Sequence, residues 1–131
     1  GHYYFRDFYY SDSALLAASI VLRHLGERKH EGKTLSQIID EITPYYNSGE
    51  INFKIEKKQE AMNAVRDHFT SIEKPERFLD FDGYRLDYPD WWLNIRPSNT
   101  EPYLRFLCEA KSEVTLKEII ATVKEIVNRL A

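Results

Sequence analysis

Asp82-Gly83 stands between two largely apolar runs, Phe78 to Phe81 and Tyr84 to Tyr88. Asp-Gly supplies the backbone freedom a tight hairpin turn requires, so the two runs are expected to pair as antiparallel strands. That pairing commits the second half of the chain to a sheet. Ile51, Phe53 and Ile55 alternate with Asn52, Lys54 and Glu56, the period of a half-buried strand. Trp91 to Ile95 and Tyr103 to Glu109 read as two more strands. A helix is expected over Lys57 to Phe69, with Ala61, Met62, Val65 and Phe69 on one side. Another is expected over Leu116 to Leu130, where Leu116, Ile119, Ile120, Val123, Ile126, Val127 and Leu130 form one stripe. The expected class is α+β, an antiparallel four-stranded sheet with helices on one face in the order β-α-β-β-β-α.

Two helices should precede this unit. Between Ser13 and Leu25, apolar residues recur at Ala14, Leu15, Ala18, Val21, Leu22 and Leu25, with Ser11, Asp12 and Ser13 as cap candidates and Gly26 as a stop. After a polar turn, Thr34 is placed to cap a second helix with Leu35, Ile38, Ile39 and Ile42 inward, ended by Pro44. The stretch "PYYNSGE" has the turn chemistry of a linker, which puts a boundary near Asn47 to Gly49 and parts of 1–47 and 48–131.

Composition narrows the class of partner. Hydrophobic residues make up 43% and charged residues 30%, a balance that can bury a real core. A net charge of −3 argues against nucleic acid, whose phosphate backbone selects basic faces. No stretch reaches the roughly 18 apolar residues of a membrane span, and no signal peptide opens the chain. The one cysteine, Cys108, has no internal partner, which points to a reducing compartment and hence the cytoplasm. The chain opens on Gly1 and runs into Tyr3, Tyr4, Phe5, Phe8, Tyr9 and Tyr10, while its only methionine is Met62. Such a run on a free terminus would be a sticky patch, so a piece of a longer protein is expected.

The chemistry concentrates in "NIRPSNTEPYLR", Asn94 to Arg105. Arg96 offers a planar fork that matches a phosphate or carboxylate. Ser98, Asn99 and Thr100 add hydroxyl and amide donors, and small polar residues let backbone N–H groups converge on an anion. Arg105 lies on the outgoing strand, where it can lean back toward the loop. Apart from Glu101 no base stands nearby, so the composition suits holding rather than reacting. The plain alternative is a surface connection with Arg96 in an ion pair.

"RPSNTEP" (Arg96 to Pro102) followed by "YLRFLCEA" resembles the phosphate-binding loop of the alpha-D-phosphohexomutases, the phosphomannomutase/phosphoglucomutase enzymes. "GEINFKIE", "DGYRLDYPDWW" and the final helix fit the same domain, the family's fourth, which has a TBP-like fold. The opening "GHYYFRDFYYSDSALLAA" resembles the end of the third domain, just after the sugar-recognition segment Gly-Glu-x-Ser-Gly-His. The resemblance implies that Arg96, Ser98, Asn99 and Thr100 contact a substrate phosphate, with Arg105 as a secondary candidate and His2 as a sugar contact. It implies a whole enzyme that interconverts hexose 1-phosphate and hexose 6-phosphate, of glucose or mannose, through a bisphosphorylated intermediate. The family's Ser-His-Asn-Pro serine loop and Asp-Gly-Asp-Gly-Asp-Arg metal loop do not occur in this sequence. Phosphoserine chemistry and Mg2+ would then come from other domains of the same enzyme, and this chain alone would hold no catalytic residue or metal.

Asp80-Phe81-Asp82-Gly83-Tyr84-Arg85 superficially copies that metal loop, but Tyr84 replaces the third carboxylate and a turn explains Asp82-Gly83. His24, His30 and His68 have no partners at metal spacing, and Lys54, Lys57 and Lys58 read as a solvated helix start. Trp91 and Trp92 should face opposite sides of a strand, and Cys108 should be a core residue. Outside the family, the alternative is a non-catalytic interaction domain that uses the aromatic N-terminus or the open sheet face.

Overall fold

The computed structural model describes residues 2–131, which separate into two compact units, one ending at Thr43 and one running from Pro44 to Ala131. The break precedes the Asn47–Gly49 turn expected to mark it because Tyr46 and Asn47 already pair with Ala110 and Glu109 of the sheet.

In the first unit, β1 (Tyr4–Phe5) and β2 (Ser11–Asp12) form a short antiparallel hairpin. Ser13 caps α1 (Ala14–Arg28) by accepting from the Leu16 amide. Gly26 does not stop this helix. It continues through Gly26 into a single 3-10 turn (Lys29–Glu31) that ends on Gly32 at φ +70°. Thr34 and Gln37 bond each other's backbone reciprocally at the start of α2 (Leu35–Ile42). The α2 face expected to turn inward mostly does not, and the apolar face of α1 is open as well. No residue of α1 is buried, and Leu15 stays 83% exposed; of α2 only Ile38 is buried, with Leu35, Ile39 and Ile42 exposed. Periodicity identified the faces, but burial also requires an element to cover them.

The second unit has its own core. It contains β3 (Tyr46–Asn47), β4 (Ile51–Lys54), α3 (Lys58–Ile72), β5 (Arg77–Leu79), β6 (Tyr84–Asp87), β7 (Trp91–Pro97), β8 (Tyr103–Ala110) and α4 (Glu113–Asn128). The α+β class and the antiparallel sheet are as expected, but the sheet has six strands rather than four. β8 takes β3 and β4 on one side and β7 on the other; β6 and β5 follow beyond β7. The count rises because the Phe78 run, already expected to pair across Asp82-Gly83, is a separate edge strand, and because a further short strand, β3, joins the other edge. β3 and β4 are one edge strand broken at Ser48-Gly49, where Gly49 takes φ +62°. Ser48 bridges the break, its N–H donating to Cys108 O at 2.9 Å and its hydroxyl accepting from Cys108 N at 2.9 Å. The far edge is β5, which ends at Leu79 rather than Phe81, so the Asp82-Gly83 connection is wider than a two-residue turn.

Alternation decides which side the helices cover. Leu86, Leu93, Ile95, Leu104, Phe106, Cys108 and Ala110 are all buried on one face. Ala61, Met62, Val65 and Phe69 of α3, and Leu116, Ile119, Val123 and Val127 of α4, pack onto them. Ser112 accepts from the Thr115 amide, which starts α4 three residues before Leu116. Trp91 joins this side, stacked on Tyr88 at 4.1 Å and edge-on to Phe69, whereas Trp92 lies on the opposite face under the Arg85 guanidinium at 4.1 Å. No described helix is long and apolar enough to cross a membrane.

Gly83 is a point where the fold tolerates only glycine. Its φ is +74°, and a Cβ there would lie 2.4 Å from Ile95 O and 2.7 Å from Arg96 Cα. Gly83→Ala is therefore expected to cost about 2 kcal/mol or more, read as a lower urea midpoint. A change under about 0.5 kcal/mol would mean that the turn does not press on β7.

Candidate functional site

β7 and β8 carry the opening loop on their ends, in a register that pairs Arg96 with Arg105 and Pro97 with Leu104. Ile95, Leu104 and Phe106 are in the core, so Arg96 and Arg105 share the face turned away from the helices. Directly opposed residues bring their Cβ atoms to about 5 Å, and like charges in that position destabilise a sheet. Carboxylates offset the repulsion. Asp82 approaches Arg96 at 3.6 Å, and Glu50 and Glu101 each approach Arg105 at 3.6 Å. These pairs are long for hydrogen bonds, and the buried Nε of Arg105 has no acceptor. Asn52 of β4 lies across from Arg105 on its other side.

Ser98 to Pro102 form the loop itself. Ser98 is the one buried polar residue among those described, at 8% exposure, and its N–H donates to Tyr103 O at 2.9 Å to close the loop base. Asn99 and Thr100 are exposed. Among the described residues, no protein acceptor meets the N–H groups of Asn99, Thr100 and Glu101, which leaves three successive backbone donors available at the loop tip. Consecutive amides without protein acceptors can serve an anion where the local conformation makes them converge. Arg96, Ser98, Asn99, Thr100 and Arg105 are thus brought together on one turn and its flanking strands.

Sequence reading missed two contributors. Lys58, taken for part of a solvated helix start, instead reaches the loop from the first turn of α3. Its ammonium donates to Glu101 O at 2.8 Å and to Ser98 O at 3.2 Å. No local signal marks it, since its acceptors lie 40 and 43 positions downstream. Asp82 was read only as a turn residue, yet the close approach of Gly83 to β7 sets its carboxylate beside Arg96.

His2 belongs to the first unit. Its Nδ1 meets Asp12 Oδ2 at 2.5 Å, and Asp12 also accepts from the Tyr3 amide at 2.8 Å. The His2 hydrogen bond first, then the Tyr3 amide, hold Asp12 below the usual carboxylate range. The ring is fixed through Nδ1, which leaves Nε2 exposed.

Among the described residues, no group of three or more His, Cys, Asp or Glu converges as a metal site. Asp82 faces Arg96, and Arg85 Nε turns back to Asp87 at 2.7 Å; residues 80–83 connect β5 to β6, and Tyr84 and Arg85 already lie in β6. His24 faces Glu27 and His68 packs edge-on against Phe69.

The model of the phosphoglucomutase/phosphomannomutase C-terminal domain matches residues 50–126. The chain belongs to the phosphoglucomutase/phosphomannomutase family. A phosphomannomutase of Methanocaldococcus jannaschii is 36% identical over 129 residues, covering 98% of this chain and 27% of its own length. A phosphomannomutase of Escherichia coli K12 is 34% identical over 122 residues, covering 89% of this chain and 25% of its own. The chain therefore spans about a quarter of the length of the curated relatives it matches. The crystal structure of a phosphoglucomutase/phosphomannomutase family protein from Burkholderia thailandensis superposes with a TM-score of 0.71 at 21% identity. That match covers 99% of this chain and 27% of the other, and it bears on the fold alone.

Cys108 is fully buried in β8, and burial, with a smaller push from Glu109, raises its thiol to about 12. A thiol that stays protonated is a poor nucleophile. Iodoacetamide at pH 8 should leave the native chain unmodified by mass spectrometry and alkylate it once in guanidinium. Rapid modification of the native chain would contradict this packing.

Proposed function

We propose that this chain is the phosphate-gripping C-terminal portion of a phosphohexomutase. In this reading the unit from Pro44 onward is the family's fourth domain, and the unit ending at Thr43 is the last part of the third. The whole enzyme would interconvert hexose 1-phosphate and hexose 6-phosphate, with glucose or mannose as the sugar, through a bisphosphorylated intermediate. The observation that carries the reading is the pairing of Arg96 with Arg105 beside three backbone amides that have no protein acceptor.

The chemistry of the site follows from its donors. Arg96 and Arg105 supply charge and forked hydrogen bonds to phosphate oxygens, while the Asn99 and Thr100 amides and the Ser98 and Thr100 hydroxyls fix its orientation. A bound phosphate dianion would replace the long contacts to Asp82, Glu50 and Glu101 with short charge-assisted bonds. A bisphosphorylated sugar that reverses direction between half-reactions presents a phosphate of the same shape each time, so one rigid grip serves both orientations. His2, held through Nδ1, would offer Nε2 to a sugar hydroxyl.

Mg2+, which the family reading implies, does not fit the residues present, since among the described residues no three or more His, Cys, Asp or Glu converge as a metal site. Phosphoryl transfer and its metal are assigned to other segments of the longer enzyme, and this chain alone is expected to be catalytically silent. A cytoplasmic setting accords with an unpaired cysteine in the core.

The test is a titration of the chain with glucose 6-phosphate, followed by amide NMR. The Ser98, Asn99 and Thr100 signals should shift, and Arg96→Ala should weaken binding by about tenfold or more. Binding that Arg96→Ala leaves unchanged, or shifts confined to other regions, would overturn the assignment.

A further inference from the structure

Lys58 is the one lysine whose ammonium is spent on the backbone of the candidate loop. It sits half-buried at the first residue of α3 and donates to two carbonyl oxygens, Ser98 O at 3.2 Å and Glu101 O at 2.8 Å. Its neighbours Lys54 and Lys57 are exposed and make no such bonds.

The geometry of the peptide group gives this contact a consequence. In a planar trans peptide the N–H points opposite to the C=O. The Ser98 carbonyl and the Asn99 N–H belong to one peptide, so holding that oxygen toward α3 turns the Asn99 N–H away from α3. The peptide after Glu101 belongs to Pro102, which has no N–H, so anchoring the Glu101 carbonyl misdirects no donor. A carbonyl that accepts from a cation also makes the N–H of its own peptide a stronger donor. The two anchors bracket Asn99 and Thr100, and the loop base is fixed independently by the bond from Ser98 N–H to Tyr103 O.

We propose that Lys58 is a positioning residue for the anion site: by pinning the Ser98 and Glu101 carbonyls, it aims and polarises the Asn99 amide toward the bound phosphate. Its ammonium approaches the loop through carbonyl oxygens, so it acts through the backbone instead of serving as another phosphate ligand. This inference rests on the phosphate-binding reading of the loop.

Four chains of 131 residues separate the possibilities when titrated with inorganic phosphate and followed by amide NMR: wild type, Lys58→Met, Lys58→Arg and Lys57→Met. Lys58→Met should weaken binding about tenfold and displace the Asn99 amide signal before any phosphate is added. Lys58→Arg keeps a cation with several donors and should recover most of the affinity. Lys57→Met removes the same charge from an exposed neighbour and should change affinity by less than about twofold at physiological salt. Equal affinity in wild type and Lys58→Met would overturn the inference while leaving the loop reading intact. An equal loss in Lys57→Met would also overturn it, because net charge and not the clamp would then be responsible. If wild type fails to bind phosphate, the loop reading itself falls and this inference with it.

Discussion

An unbroken run of paired residues, from Trp91 with Ala110 to Pro97 with Leu104, holds β7 against β8. This register settles two otherwise separate matters at once. It sends Leu93, Ile95, Leu104, Phe106 and Cys108 into the core, and it sets Arg96 and Arg105 opposite each other on the other face. Strand side chains alternate with a period of two, so a slip of one residue would bury arginine and expose the core. The hydrophobic gain from burying those side chains thus enforces a cross-strand arginine pair that would be unfavourable alone. Packing on one face holds the charge arrangement on the other.

One helix contacts both the loop at the end of these strands and the strand that follows the Asp82-Gly83 turn. Lys58, in the first turn of α3, takes the Ser98 and Glu101 carbonyls. Further along α3, Asn63 accepts from the Tyr84 hydroxyl at 2.8 Å while Gln59 donates to it at 2.9 Å. Tyr84 follows Gly83, whose backbone presses on β7 and brings Asp82 to Arg96. The loop backbone and the turn that supplies Arg96 with its carboxylate therefore rest on a common support. Ala61, Met62 and Val65 fix that support in the core.

Much of this was legible in the sequence, for physical reasons that differ by element. Ile51 and Phe53, and the run from Leu104 to Ala110 apart from Leu107, follow a period of two because one side faces helices and the other does not. The α4 stripe was readable for the same reason. The turn at Asn47 to Gly49 was readable too, but not that it interrupts a single edge strand, because that depends on Ser48 substituting for ladder bonds to Cys108, a residue 60 positions away. The role of Lys58 was hidden likewise, since a lysine at a helix start looks the same whether it meets water or a distant carbonyl. In α1 the period was read correctly, but an apolar stripe specifies a face without specifying what covers it. Within the candidate site, residue types were enough to gather Arg96, Ser98, Asn99 and Thr100. The opposed placement of Arg105 needed the register.

The local charge balance bears on how an acidic chain could hold the proposed anion site. Three cations, Arg96, Arg105 and Lys58, stand near three carboxylates, Asp82, Glu50 and Glu101, so the region carries little net charge when empty. The carboxylate contacts of both arginines are 3.6 Å long and largely solvated, and such pairs contribute little. In the proposed reading, an arriving phosphate would displace weak partners and gain strong ones, while the loop amides, which have no protein acceptor, would exchange water for charged oxygens. In that reading the same layout would favour a single compact anion over a polyanion. The donors converge on one turn, and the acidic side chains around it leave no extended positive surface along which a phosphate backbone could lie.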